Sequence, residues 1–168
     1  MKRKILLAIA PLFMGFMASS QTWTAQTSGS TAALFDVQFI ADTGWTVGGN
    51  GTVLKTIDGG QNWNLKPSGQ SIILYGVHFI NSQEGWACGA GGTVIQTQDG
   101  GETWFLNVQG APVAMYDIFF TGVSNGIAVG DQAIATTSNG GNTWTPNQSL
   151  TNINSVYFTS TSTGWICG

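Results

Sequence analysis

Thr56-Ile57-Asp58-Gly59-Gly60-Gln61-Asn62-Trp63 recurs as Thr97-Gln98-Asp99-Gly100-Gly101-Glu102-Thr103-Trp104 and again as Thr137-Ser138-Asn139-Gly140-Gly141-Asn142-Thr143-Trp144. In each copy a glycine pair follows an acid or amide. Glycine accepts the positive φ of a tight turn, and an Asp or Asn side chain can bond the main-chain N–H groups of its own turn. Working outward, Gly44-Trp45-Thr46-Val47-Gly48 returns as Gly85-Trp86-Ala87-Cys88-Gly89, Gly126-Ile127-Ala128-Val129-Gly130 and Gly164-Trp165-Ile166-Cys167-Gly168. The phenylalanines Phe39, Phe79, Phe120 and Phe158 are separated by 40, 41 and 38 residues. Three marks hold one register, and self-similarity at a fixed period has to be settled before any local reading is made.

Within a unit the apolar residues alternate with period two, the strand signature. In the first unit this predicts strands over Leu34 to Ile40, Trp45 to Gly48, Thr52 to Thr56 and Asn62 to Leu65. Asn50-Gly51 is a type I′ hairpin signal between the second and third. Four short antiparallel strands in about 40 residues are the blade of a β-propeller. The expected fold is therefore all-β, with units at about 34–73, 74–114, 115–153 and a truncated 154–168. Trp23 lies 40 residues before Trp63, so 21–33 is expected to supply a closing strand. Seven such blades would need roughly 280 residues, so a partial propeller is expected: a fragment of a longer gene, or an arc completed by another chain. Unpaired strand edges at its ends invite edge-to-edge self-association.

Lys2, Arg3 and Lys4 precede the apolar run Ile5 to Ala18 and the pair Ser19-Ser20, the layout of a secretory signal peptide over 1–20. The expected location is therefore secreted, periplasmic or on a bacterial cell surface. Removing that segment leaves Lys55 and Lys66 against eight acids, with no arginine. Two lysines cannot neutralise the phosphates a nucleic-acid binder must hold, nor bind an anionic membrane surface.

The recurring box resembles the Asp-box, or bacterial neuraminidase repeat, of sialidases, sortilin-type receptors and some glycoside hydrolases. The longer unit Leu74-Tyr75-Gly76-Val77-His78-Phe79, Gly85 to Gly89, Gly92 to Thr97 and Asp99 to Trp104 is similar to the photosystem II stability and assembly factor family. That resemblance covers Trp23 to Gly168 and implies a propeller that binds another protein as an assembly scaffold. Chloroplast and cyanobacterial members bind a newly made reaction-centre protein. Secreted relatives in non-photosynthetic bacteria share the repeat.

The box residues Thr56, Asp58, Gly59, Gly60, Trp63, Thr97, Asp99, Gly100, Gly101, Trp104, Thr137, Asn139, Gly140, Gly141 and Trp144 are read as structural. Asn139 cannot serve as a carboxylic acid, and the box tryptophans are expected to pack between neighbouring blades. A sialidase clamps its substrate carboxylate with arginines, and none remain. A glycosidase needs two facing carboxyl groups; Asp36 and Asp117 hold one position in units one and three, where Gly76 and Ser155 stand in the others. They form the alternative catalytic pair to a chain with no catalytic residues. A third alternative is a stalk or adhesin module of a larger surface protein. His78 is the only histidine, which excludes a multi-histidine metal site, and no cofactor is expected. Cys88 and Cys167 sit a whole blade apart, beyond the Cα separation a disulfide spans, and are expected to be free, buried thiols.

Overall fold

The computed structural model describes residues 24–108, 113–131, 133–147 and 152–168. Strands β1 (Leu34–Ile40), β2 (Thr43–Gly48), β3 (Val53–Thr56) and β4 (Asn64–Lys66) pair antiparallel in that order as blade one. Blade two repeats the order with β5 (Leu74–Phe79), β6 (Gly85–Gly89), β7 (Val94–Thr97) and β8 (Phe105–Val108). Blade three does so with β9 (Met115–Phe120), β10 (Gly126–Gly130), β11 (Ala133–Thr137) and β12 (Thr145–Asn147). A fourth sheet holds β13 (Ser155–Phe158) and β14 (Gly164–Cys167). The first strands β1, β5, β9 and β13 stand side by side, so the molecule is an all-β arc of propeller blades.

The hairpin at Asn50-Gly51 has both central residues left-handed, φ +55° and +66°, and the Thr52 N–H donates to Gly49 O at 3.1 Å. The fourth strand starts two residues later than its sequence predicts. The cause is the box itself: the Asp58 carboxylate accepts the Asn62 main-chain N–H at 2.9 Å and its side-chain amide at 2.8 Å, which keeps Asn62 in the turn. The expected signal peptide and Trp23 lie outside the described residues. The described part of the predicted closing segment, 24–33, carries no strand.

The core lies between blades rather than inside any one of them, as in repeat architectures where each unit is stabilised by its neighbours. Trp45, Val47 and Val53 of blade one close on Leu74, Val77, Phe79 and Trp104 of blade two. Trp86, Cys88 and Val94 of blade two close on Met115, Ile118 and Phe120 of blade three. The third layer is thinner, with Val129, Ile153 and Val156 as its buried members.

Candidate functional site

Each complete blade has a bulge near the start of its first strand. The register passes from Leu34 to Asp36, from Leu74 to Gly76 and from Met115 to Asp117, leaving Phe35, Tyr75 and Tyr116 as the extra residues. A bulge gives up ladder pairing and re-aims a side chain. Here three aromatic rings are re-aimed onto one line. Phe35 meets Tyr75 and Tyr75 meets Tyr116, edge to face, each pair with centroids 5.3 Å apart. Beside this line the first strands enclose an open hollow of about 440 Å³, lined by Gln38, His78, Phe119 and Tyr157 among others.

The free main-chain edges of β5, β9 and β13 would otherwise be unpaired, and side chains of the preceding blade cap them. Asp36 accepts the Val37 and Val77 N–H groups, both at 2.8 Å. Gln38 grips Phe79 twice, accepting its N–H at 2.5 Å and donating to its carbonyl at 2.9 Å. His78 Nδ1 accepts the Phe120 N–H at 3.2 Å. Asp117 accepts the Ile118 N–H at 2.7 Å, and both the Val156 N–H and the Ser155 hydroxyl at 2.8 Å. Burial pushes the Asp36 carboxyl above the usual range against the pull of the Val77 and Val37 bonds, and the nearby Asp117 charge adds to the rise. Burial also holds His78 down at about 4. Asp36 and Asp117 do lie along the same inner row, but their oxygens are engaged in holding strands together. Gly76 stands at the equivalent place in blade two, closely packed: a Cβ there would stand 3.0 Å from Asp117 Cα and from Tyr116 O.

The three boxes are superimposable in their bonding. Thr56, Thr97 and Thr137 each donate their hydroxyl to the box acid or amide and accept the N–H of Gly60, Gly101 or Gly141. Bonds from the Asn62 side chain, the Asn62 N–H and the Thr56 hydroxyl hold the Asp58 carboxyl down at about 2. For Asp99, burial works upward, but bonds from the Thr103 hydroxyl and N–H and from Thr97 overcome it and bring it to about 2. Asn139 keeps the same contacts, accepting the Thr143 N–H at 3.0 Å.

The family model for photosynthesis system II assembly factor YCF48 matches residues 16–106. The chain belongs to that family. A structure of YCF48 bound to D1 peptide is 26% identical, with TM-score 0.71 over 82% of this chain and 47% of that one. YCF48 from Cyanidioschyzon merolae is also 26% identical, with TM-score 0.62 over 75% of this chain and 47% of that one. The chain thus spans about half the length of the YCF48 structures it matches. An ancestral GH74 enzyme, 17% identical with TM-score 0.62, is matched over 83% of this chain and 22% of its own length, a likeness of fold alone. No curated protein matches the sequence.

In this YCF48-family arc the residue that locks one blade to the next is the second-strand tryptophan, which the repeat displayed but composition gave no role. Trp45 stacks on Phe79 at 3.6 Å between ring centroids and donates its indole N–H to Gly100 O at 2.8 Å. Trp86 does the same with Phe120, at 3.7 Å, and Gly140 O, at 3.0 Å. Gly101 has to be glycine: φ is +84°, and a Cβ would come within 2.8 Å of the Trp45 indole nitrogen. The box tryptophans pack first within their own blades, edge-on against Phe39, Phe79 and Phe120. Trp104 and Trp144 thereby join the layers between blades, whereas Trp63, with no blade described before it, is only partly covered.

Two further groups complete the inventory. Lys55 and Lys66 both pair with Glu102, at 2.8 and 2.6 Å, so these two lysines tie blade one to blade two. Cys88 and Cys167 are free. Cys88 is buried, and burial raises its thiol well above the ordinary value. Cys167, expected to be buried, is exposed in this structure. Among the described residues no group of three His, Cys, Asp or Glu side chains could hold a metal ion.

Proposed function

We propose that this chain is a non-catalytic assembly scaffold that holds an extended segment of another protein along its inner row, with the Phe35–Tyr75–Tyr116 line as its grip. The observation that carries this reading is the bulge repeated in three blades, which gives up pairing at one position to place three aromatic rings on one rim. Aromatic side chains offer large contact area with little entropy lost, and they dominate protein interfaces. The family relationship and the YCF48 structure bound to D1 peptide support a peptide as the occupant. With Lys55 and Lys66 engaged by Glu102 and acids in excess over bases, the fitting segment is neutral or basic. The same reading includes export to the periplasm or cell surface, supported by the basic start and apolar run of residues 2–18, and association between copies of the arc.

Titration calorimetry with D1 peptide, and with a set of neutral and basic extended peptides, tests the reading. Tyr75→Ala and Tyr116→Ala should each weaken binding by about tenfold or more, with unfolding midpoints little changed. Equal affinity in both variants would overturn the assignment. The rival reading, a glycoside hydrolase using Asp36 and Asp117, gains some support from the raised Asp36 carboxyl, since shifted groups cluster at functional sites. Polysaccharide turnover that disappears in Asp36→Asn and Asp117→Asn would establish it instead.

A further inference from the structure

His78 sits in the first strand of blade two, which has a blade on either side, and its imidazole is held from two directions. Nδ1 accepts the Phe120 N–H at 3.2 Å, and the ring lies against Phe119 with centroids 4.1 Å apart. Burial brings its folded value down to about 4, so the ring is neutral at neutral pH. A neutral imidazole has one proton for two nitrogens, and the nitrogen that accepts a hydrogen bond cannot carry it. The Phe120 bond therefore selects the tautomer: Nδ1 is bare and Nε2 carries the hydrogen.

That hydrogen has no use inside the fold. Among the described residues no acceptor meets Nε2, and His78 lines the hollow of the inner row. Its counterparts in the neighbouring blades differ. Gln38 commits its carbonyl oxygen and its amide nitrogen to Phe79, and Phe119 has no polar side-chain atom to offer. The contrast matters because the Phe35–Tyr75–Tyr116 line presents three similar rings beside this hollow. Apolar contact is non-directional, so rings alone let an extended segment slide along them. A hydrogen bond has a required distance and angle, and one such bond fixes a position.

We propose that His78 sets the register of the bound segment, its Nε2–H donating to one main-chain carbonyl of that segment. This rests on the scaffold reading above and names the polar contact that the ring line lacks. The acceptor is a neutral carbonyl rather than a carboxylate, because Asp117 lines the same hollow and would repel a second negative charge. The donor is also prepared in advance: Phe120 and Phe119 already orient the imidazole, so little side-chain freedom is lost on binding. His78 thus works on both of its sides, holding blade three through Nδ1 and reading the occupant through Nε2.

Titration calorimetry of the full chain with D1 peptide at neutral pH tests this, with the imidazole followed in parallel by proton–nitrogen NMR. His78→Gln should keep the joint, since Gln38 shows that an amide at this place takes the N–H of the next strand and turns its nitrogen to that strand's carbonyl. Its unfolding midpoint at neutral pH should stay close to that of the unmodified chain, while Kd for the peptide rises about three- to tenfold, the loss of one neutral hydrogen bond. D1 peptides carrying single main-chain esters, whose carbonyls accept more weakly than amides, locate the contact. At one position the ester should weaken binding to the unmodified chain more than to His78→Gln. Saturating peptide should also slow exchange of the His78 Nε2 proton with water. Unchanged affinity in His78→Gln, ester effects identical in the two chains, or an Nε2 proton indifferent to peptide would each overturn the proposal. If Tyr75→Ala and Tyr116→Ala weaken binding and His78→Gln does not, the register contact falls and the scaffold stands; if D1 peptide fails to bind the unmodified chain, both fall.

Discussion

Blades one and two, two and three, and three and four meet through joints that share a plan and differ at three positions. The first joint uses Asp36, Gln38 and Trp45; the second uses Gly76, His78 and Trp86; the third uses Asp117, Phe119 and Ile127. Both of the first two have a stacked indole anchored to a box carbonyl. At the third, Ile127 is only partly buried beside Phe158, and an open hollow of about 300 Å³ lined by Ile127, Thr137 and Phe158 lies there. The difference shows that the indole, rather than the sheet pairing, fills the wedge between diverging blades. Where it is replaced by a smaller side chain, space remains.

The most direct way to break that comparison is to remove the peg. Trp86→Ala should cost about 3–5 kcal/mol, read as a fall in the urea midpoint, because the side chain is fully buried and its loss also removes one of the two hydrogen bonds to Gly140 O. Ile127→Ala should cost clearly less; equal losses would mean that the third joint is as tightly built as the second.

A second way separates the joints by pH. His78 accepts a main-chain N–H, which a protonated Nδ1 cannot do, and its folded value of about 4 lies below the ordinary 6.5. Its contribution is therefore complete above pH 6.5 and is lost as pH falls toward 4, amounting to up to about 3 kcal/mol by linkage. His78→Gln imports the amide that stands at this position in the first joint. Unfolding midpoints between pH 7.5 and 4.5 should then become nearly flat, and a slope as steep as that of the unmodified chain would remove His78 as the cause.

Smaller effects come from the carboxylates. Asp36→Ala leaves the Val77 N–H without its partner and should cost about 1–3 kcal/mol, whereas Asp36→Asn, which keeps an acceptor, should recover much of it. The boxes give the finest contrast. Asp58 and Asp99, held at about 2, stabilise their turns above pH 4 and lose that contribution as pH falls toward 2, whereas Asn139 does not titrate. Carboxyl carbon chemical shifts should place both midpoints near 2, and ordinary values near 4 would show that the turn bonds are weak in solution.

Much of this architecture was readable because it is repeated. Phe39, Phe79, Phe120 and Phe158 sit at one place in successive first strands, and the box turns close the same hairpin each time. What could not be read lies where geometry depends on a neighbouring blade. Gln38 and His78 differ in type and share no motif, yet both cap the next strand; only the placement of that strand's edge reveals the common task. The bulges escaped for a similar reason: alternation predicts a strand through Phe35, Tyr75 and Tyr116 without saying that each is an extra residue.

The side chain-to-main chain hydrogen bonds across the joints share one direction that bears on how such a chain is made. Asp36, Gln38 and Trp45 reach to main-chain atoms of blade two; His78, Trp86 and Asn107 reach to those of blade three; Asp117 reaches to blade four. In each case the earlier blade supplies the side chain and the later one the backbone. During synthesis from the N-terminus, where earlier units fold first, a finished blade presents its indole and polar caps before its successor emerges. Each new strand then meets donors and acceptors already in position, so the arc can grow in the order it is translated, one blade templating the next.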